Sequence, residues 1–327
     1  MKQSTVLITG ATGLLGRQIL FKLLGTEYQV YAVKRAHSTI PIESENLHWI
    51  EVNSINDDLF RLVPSQVDYV IHAAALVSYK KSDSSKLFKI NRDWTSKLAQ
   101  DAKKEGVKKF VFISSISALG KNATNNVIDE NTPKSDREFL SNYGKSKRQA
   151  EEALWKFSSE GLPITIFNPS VIIGPANRYQ SSAQLLGYVS DQKPFFTKGL
   201  INYIDVRDVA KIVVESLANN RINEQFVLNA GSISYKDFFS TVAKQLNVKA
   251  PSIGVPKFMV VFGAALENIL SKISGNPAVL TMETAKMAGN KNIYNAKKAN
   301  KAFNISYTTL EQSVQWTVKE MQKRGEL

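Results

Sequence analysis

The run Tyr143-Gly144-Lys145-Ser146-Lys147 sets a phenol and an ammonium four residues apart, a step that puts both on one face of a helix. That pairing suits proton transfer. A phenol of ordinary pKa near ~10 is a poor acid or base at neutral pH, and a nearby ammonium, like an oxidised nicotinamide ring, favours its phenolate form. The spacing alone is cheap: with 11 tyrosines and 32 lysines in 327 residues, about one accidental match is expected, and Tyr294 to Lys298 is a second one. The first differs in its surroundings. The strand-like run Lys109 to Ser114 leads into Ser115, at the C-terminal end where open parallel sheets place their ligands. A Ser115 hydroxyl can hold a substrate carbonyl oxygen while Tyr143 delivers the proton, joining oxyanion stabilisation to general acid catalysis. The plain alternative for Ser115 is a strand-end turn residue. Tyr294 has no comparable partner.

A second constellation suits a dinucleotide. Thr9-Gly10-Ala11-Thr12-Gly13-Leu14-Leu15-Gly16 follows a predicted strand and opens a predicted helix. Gly10 permits the tight turn, Gly13 lets backbone approach a pyrophosphate at the helix N-terminus, and Gly16 lets helix and strand pack closely. Gly10, Thr12, Gly13, Leu14, Leu15 and Gly16 are the candidate contacts of this turn. At the end of the second strand, where a carboxylate would bind an unphosphorylated ribose, stand Val33-Lys34-Arg35. Two cations without an acid favour NADP(H), because a guanidinium forks onto phosphate oxygens that a carboxylate would repel. NAD(H) stays possible, since Lys34 and Arg35 also suit a strand ending in solvent.

These groups need a frame to position them. Strands are predicted over Thr5 to Thr9, Gln29 to Val33, Leu47 to Val52, Tyr69 to Ala73, Lys109 to Ser114 and Pro163 to Asn168. Helical periodicity fills Leu14 to Leu24, Ser85 to Glu105 and Tyr143 to Ser159. This alternation writes an α/β fold, a Rossmann doubly wound parallel sheet. After Pro169 the pattern breaks at Gly174-Pro175, Gln180 to Ser182 and Lys193-Pro194. A dinucleotide-binding domain over 1–169 is therefore expected, with a smaller, discontinuous substrate-binding domain over 170–200 and 231–327. Tyr203 to Asp205 and Asp208 to Ala218, within 201–230, look able to return to the main sheet.

Composition excludes several other classes. The absence of cysteine removes disulfide frameworks and thiolate metal sites, and His37, His48 and His72 are too scattered for a metal site. His72 reads as a packed strand-end residue, without proton chemistry. No run reaches the ~18 apolar residues of a membrane span, and no export signal opens the chain, so a cytoplasmic protein is expected. The net charge of +13, from 42 basic and 29 acidic residues, is spread over short lysine clusters with no basic tail or recognition helix. It reads as solvated surface, not a nucleic-acid footprint. The apolar stretch Val255 to Ile273, with Phe258 to Leu266 inside it, reads first as helix core, then as a wall for an apolar substrate, and last as a membrane-touching surface.

The chain resembles the extended short-chain dehydrogenases/reductases, the NAD-dependent epimerase/dehydratase family. The likeness runs from Thr9 to Gly16 through His72-Ala73-Ala74-Ala75, Asn91, Phe112-Ile113-Ser114-Ser115, Tyr143 to Lys147 and Asn168-Pro169. It continues in Asp205-Val206-Arg207-Asp208-Val209-Ala210, Asn229-Ala230-Gly231 and Lys297 to Phe303. It implies that Ser115, Tyr143 and Lys147 are catalytic, that Ala73, Ala74 and Ala75 line the cofactor channel with Asn91 nearby, and that Pro169 meets the nicotinamide. It also implies a homodimer. Many members carry an acid at the end of the third strand against adenine, where this chain has Asn53 and Ser54.

Within the family the sequence is most similar to dihydroflavonol reductase-like and 3β-hydroxysteroid dehydrogenase-like members. Phe195 to Ala210 lacks the Gly- and Arg-containing pattern of nucleotide-sugar enzymes, and Arg35 matches the basic residue of NADP-dependent reductases. The expectation is an NADP(H)-dependent oxidoreductase interconverting a carbonyl and a secondary alcohol on a mainly apolar small molecule. A nucleotide-sugar epimerase or dehydratase with tightly held cofactor, and a non-catalytic dinucleotide sensor or scaffold, are the alternatives.

Overall fold

The computed structural model describes residues 3–40, 42–120, 126–133, 141–180, 182–264, 283, 285 and 289–327. In chain order β1 (Thr5–Thr9) leads through α1 (Leu14–Leu24) to β2 (Gln29–Arg35), β3 (Leu47–Val52) and β4 (Tyr69–His72). A broken helix follows: a short turn Ser84–Leu87, a π-turn Phe88–Asp93 and α2 (Trp94–Lys104). Next come β5 (Lys109–Ile113), β6 (Val127–Ile128), α3 (Asn142–Ser159), β7 (Ile164–Pro169), β8 (Val171–Ile173) and α4 (Ala183–Ser190). Then follow β9 (Phe195–Thr197), β10 (Leu200–Asp205), α5 (Val206–Ala218), β11 (Glu224–Leu228), β12 (Gly231–Ser234) and α6 (Tyr235–Leu246). The chain closes with β13 (Ile253–Val255), β14 (Ile293–Tyr294), α7 (Lys297–Phe303) and α8 (Leu310–Lys323).

Seven strands form one parallel sheet in the order β11-β7-β5-β4-β1-β2-β3. Alternate side chains serve its two faces, as the period of two requires. Val6, Ile8, Ile71 and Val111 pack with α1 and α5, while Leu7, Val70, Phe110 and Phe112 pack with α2 and α3. A separate apolar cluster joins Ile173, Leu186, Ile201, Phe238, Val242, Leu310, Val314 and Met321. It is built from stretches far apart in sequence.

Two sequence expectations need correction. The strand containing Tyr203 to Asp205 does not join the main sheet: β10 lies between β8 and β12 in a three-stranded sheet. The strand that returns is β11, beside β7, while α5 packs on the main sheet. The predicted helix core after Val255 is also only partly core. Residues 257–264 are helical, and Val260 and Ala264 are buried with Ala285, but Phe258 and Phe262 are 72% and 71% exposed. Residues 265–273 lie outside the described residues. Among the described residues no helix is long and apolar enough to cross a membrane.

Candidate active site

The sheet order reverses between β1 and β4, whose neighbours β2 and β5 lie on opposite sides. Connections after such a pair leave in opposite directions and open a crevice at the strands' C-terminal ends. The glycine turn borders it. Gly10 has φ +75°, and a Cβ there would lie 2.6 Å from the Ala74 nitrogen. A Cβ on Gly16 would lie 2.0 Å from the Gly10 carbonyl oxygen. Gly13 caps α1 without a side-chain acceptor, and no acid occupies the first turn, leaving N–H groups for an anionic ligand. Thr12, Leu14 and Leu15 follow the same turn. Ala73 donates from its nitrogen to the Thr9 carbonyl at 3.2 Å, so Ala73, Ala74 and Ala75 leave β4 alongside the turn.

A polar chain braces this crevice from below. Ala74 N donates to Thr9 Oγ1, which lies 2.7 Å from His72 Nδ1; His72 Nε2 lies 2.9 Å from Thr95 Oγ1, which donates to the Asn91 carbonyl. The last donation fixes the imidazole: Nε2 carries the proton, and Nδ1 accepts from Thr9. Burial, with Lys147 adding to it, lowers His72 to about 3, so it is neutral. Asn91, expected among the cofactor contacts, is fully buried and spends its amide inside the protein. Its Oδ1 accepts from Leu76 N at 2.8 Å, and its Nδ2 donates to Leu76 O at 2.9 Å and Ser146 Oγ at 3.0 Å. The π-turn aims this side chain inward, tying the segment after Ala75 to α3.

The two cations at the end of β2 have different fates. Lys34 stands opposite Glu51 in the β2–β3 register and forms an ion pair with it. The reading of two cations without an acid therefore changes, because the neighbouring strand supplies the acid. Arg35 is exposed and has no ion-pair partner among the described residues. At the end of β3, Asn53 N and Ser54 N both donate to Asp57 Oδ2, at 2.9 and 3.0 Å. A carboxylate thus stands at the end of β3, supplied from four residues beyond Asn53.

Ser115, Tyr143 and Lys147 meet at the C-terminal end of β5. Ser141 caps α3 by accepting from Gly144 N, and Gly144 has no room for a side chain because a Cβ would lie 2.4 Å from the Ser117 carbonyl oxygen. That close approach presses Tyr143 against the β5 exit. Tyr143 is 8% exposed and has Ser115 beside it, whose Oγ accepts from Ser117 N at 3.1 Å. Lys147 is 1% exposed, donates to the Ile113 carbonyl at 2.6 Å and sits 4.0 Å above the Phe112 ring centre. Burial lowers it to about 7, with Glu151 pulling it upward. The expected depression of the phenol by the ammonium is not what this geometry shows. Burial and Tyr79 hold Tyr143 above the usual phenol range, with Ser115 opposing them, while the ammonium is drawn to Ile113. The decoy pair separates: Tyr294 ends β14, whereas Lys298 lies on α7, donates to the Gln225 carbonyl and pairs with Glu224.

Three neighbours escaped sequence reasoning. The Tyr79 ring meets Tyr143 edge-on at 6.2 Å and is pushed up to about 12 by burial, with Tyr235 and Glu283 adding to it and Ser117 opposing. Glu283 accepts from Asn142 N at 3.2 Å, across the start of α3. Glu151 lies under Lys147. Position in the chain gave no signal for Tyr79 or Glu283, but Glu151 stands four residues after Lys147 and a helical reading places them together. Pro169 ends β7, and the buried Ser170 Oγ beside it has no hydrogen-bond partner among the described residues. The glycine cradle, the uncapped helix start and this unpaired hydroxyl fit a dinucleotide lying from β2 to β7.

The sequence profile of the NAD dependent epimerase/dehydratase family matches residues 6–231, and the chain belongs to that family, the NAD(P)-dependent extended short-chain dehydrogenase/reductase enzymes. A putative dihydroflavonol 4-reductase of Synechocystis sp. is 27% identical over 327 residues, 97% of this chain and 94% of the relative. A UDP-glucose 4-epimerase of Vibrio cholerae is 25% identical over 306 residues, 87% and 90% of the two chains. The crystal structure of gox2253 superposes with a TM-score of 0.85 at 24% identity, covering 99% of this chain and all (100%) of the other, a likeness of fold.

Proposed function

We propose that this member of the NAD-dependent epimerase/dehydratase family is an NADP(H)-dependent oxidoreductase that interconverts a carbonyl and a secondary alcohol on a mainly apolar small molecule. The observation that carries the reading is the buried Tyr143, set beside Ser115 and Lys147 at the end of β5 and walled by Tyr79. Gly10 to Gly16 would hold the pyrophosphate, Arg35 a 2′-phosphate, and Ala73 to Ala75 with Pro169 and Ser170 the nicotinamide end. When bound, the dinucleotide supplies or accepts the hydride. Ser115 holds the substrate oxygen. Tyr143 gives that oxygen its proton during reduction and takes it back during oxidation, which is general acid–base catalysis. Lys147 has three N–H donors; one goes to Ile113, and the others would steady the nicotinamide ribose. As the substrate seats, the ammonium also favours ionisation of the phenol that burial opposes.

The substrate would lie between the dinucleotide-binding part, 1–169 with 206–230, and the smaller part, 170–205 with 231–327. Tyr79 beside Tyr143, with Tyr235 near it, suits an apolar ring, since burial at ~25 cal/mol/Å² gives affinity without a charged handle. The 27% identity to a putative dihydroflavonol 4-reductase along nearly the whole chain supports this branch. A homodimer in the cytoplasm completes the proposal, read by sedimentation and cell fractionation. The second reading, a nucleotide-sugar epimerase, is favoured by the likeness to UDP-glucose 4-epimerase. A panel of aromatic and alicyclic ketones and alcohols with NADPH and NADP⁺, followed by nicotinamide absorbance, is set against UDP-sugars followed by epimer formation. Turnover of neutral ketones supports the first reading; UDP-sugar epimerisation without net nicotinamide change overturns it.

A further inference from the structure

Glu151 has no task in the chemistry described so far, yet it is fully buried, and a buried ion is expensive to keep. It lies one turn after Lys147 on α3. Its Oε1 accepts from Ser114 Oγ and, at 2.6 Å, from Asn168 Nδ2; its Oε2 accepts from Gln225 Nε2 at 3.2 Å. Asn168 Nδ2 also donates to the Ser115 carbonyl at 2.9 Å, and its Oδ1 accepts from Gln225 Nε2 at 2.7 Å. Side chains from the ends of β5, β7 and β11 therefore converge on one carboxylate directly behind the catalytic set.

We propose that Glu151 is a positioning residue of this site: its carboxylate is the counter-charge one helical turn from Lys147 that favours the ammonium against burial, and its grip on Asn168 fixes the Ser115 main chain beside Tyr143. The role of Lys147 itself rests on the oxidoreductase reading above. The groups around the pair are few. On α3, Arg148 turns away to the Ala118 carbonyl at 2.9 Å. From β4, His72 is neutral. Past β11, Glu130 accepts from Val227 N, and Lys298 is taken by Glu224 and the Gln225 carbonyl. Against burial, Glu151 is the charge that raises Lys147. Without it the lysine would sit lower still, and a larger share of molecules would lose the third N–H and the charge together.

The test reads the lysine directly. In full-length protein labelled with [13Cε]lysine, the Lys147 resonance is identified by its loss in Lys147→Arg and titrated by NMR. Glu151→Gln should lower its midpoint by about 1 to 2 pH units, the scale of an opposite charge nearby. The alkaline limb of kcat for reduction should move to lower pH with it, because activity is lost as the ammonium deprotonates. The pair Glu151→Gln with Gln225→Glu returns a carboxylate across the 3.2 Å contact and should restore both quantities. A folded Glu151→Gln protein with an unchanged Lys147 midpoint overturns the proposal. If that variant does not fold, the double variant decides: a native midpoint supports it, and one lower by a unit or more overturns it. The NMR midpoint needs no substrate, so failure here is distinct from failure of the proposed reaction, which Tyr143→Phe reads.

Discussion

Two glycines of the same turn should fail in different ways when each is changed to alanine. At Gly16 the added Cβ would sit 2.0 Å from the Gly10 oxygen, 2.6 Å from its carbonyl carbon and 3.0 Å from the Ala11 Cα. All three atoms are backbone, so no side chain can rotate away and α1 must move off β1. Overpacking of this kind costs ~1–3 kcal/mol or more, and at ~2–4 °C per kcal/mol the Tm should fall by ~2–12 °C. At Gly13 the nearest atom is the Gly10 oxygen at 3.3 Å and φ is −81°, so alanine fits the backbone. The loss in stability should be ~1 kcal/mol, the cost of an N-cap alanine. The new methyl would instead stand where a phosphate approaches the first turn, and losing one hydrogen bond to a charged group, ~1.5–3 kcal/mol, weakens NADPH by ~10- to 100-fold. Scanning calorimetry and titration calorimetry with NADPH, run on both variants, separate the two effects. The cradle argument fails if Gly16→Ala melts with the native protein, or if Gly13→Ala binds NADPH as tightly as native.

Tyr143→Phe should cut turnover by ~10²- to 10⁴-fold with NADPH affinity nearly unchanged; retention of more than about half the activity, or equal damage from Tyr294→Phe, refutes the assignment. Arg35→Ala should weaken NADPH by ~10- to 100-fold and leave NADH alone, whereas Lys34→Ala should do less because Glu51 already holds the ammonium; equal native affinities for NADPH and NADH would refute the cofactor preference. His72 has a folded pKa of about 3 against 6.5 in the unfolded chain, so the unfolded chain binds the extra proton and stability drops as pH falls from 6.5 toward 3. The loss should be about 2 kcal/mol at pH 5. Urea titrations at pH 7 and pH 5 should show this loss in native protein and a smaller one in His72→Gln, and identical losses would refute the neutral, tautomer-locked imidazole.

The first half of the fold was legible because each strand there is a short apolar run closed by a turn residue. Thr5 to Thr9, Leu14 to Leu24 and Leu47 to Val52 lie where periodicity put them. The expectation failed where pairing, not periodicity, decides. Tyr203 to Asp205 is as strand-like as Glu224 to Leu228, but its register is with Val171–Ile173 and Gly231–Ser234, and a local pattern carries no record of a partner. Ser85 to Glu105 reads as one helix because a π-turn adds a residue without disturbing the apolar spacing on either side. Only tertiary contact shows that the extra residue turns Asn91 inward.

The site divides along the same line. Gly10, Gly13 and Gly16, and Tyr143 with Lys147, were readable because their spacing falls within one turn or one helix, and Ser115 because it follows a strand-like run. Arg35 was readable as a charge, but Lys34 was not readable as a bound one, since Glu51 reaches it across the β2–β3 register from 17 residues away. Glu151 is a case between these. Its spacing from Lys147 is a helical turn, yet an i,i+4 pair of lysine and glutamate is what an exposed helix face also displays. Burial separates the two meanings, and burial comes from Phe112, Asn168 and Gln225 on three strands. A charge pair on α3 therefore acquires its meaning only from the strands beneath it: solvated, it adds a few tenths of a kcal/mol, and buried, it opposes the desolvation that lowers the lysine.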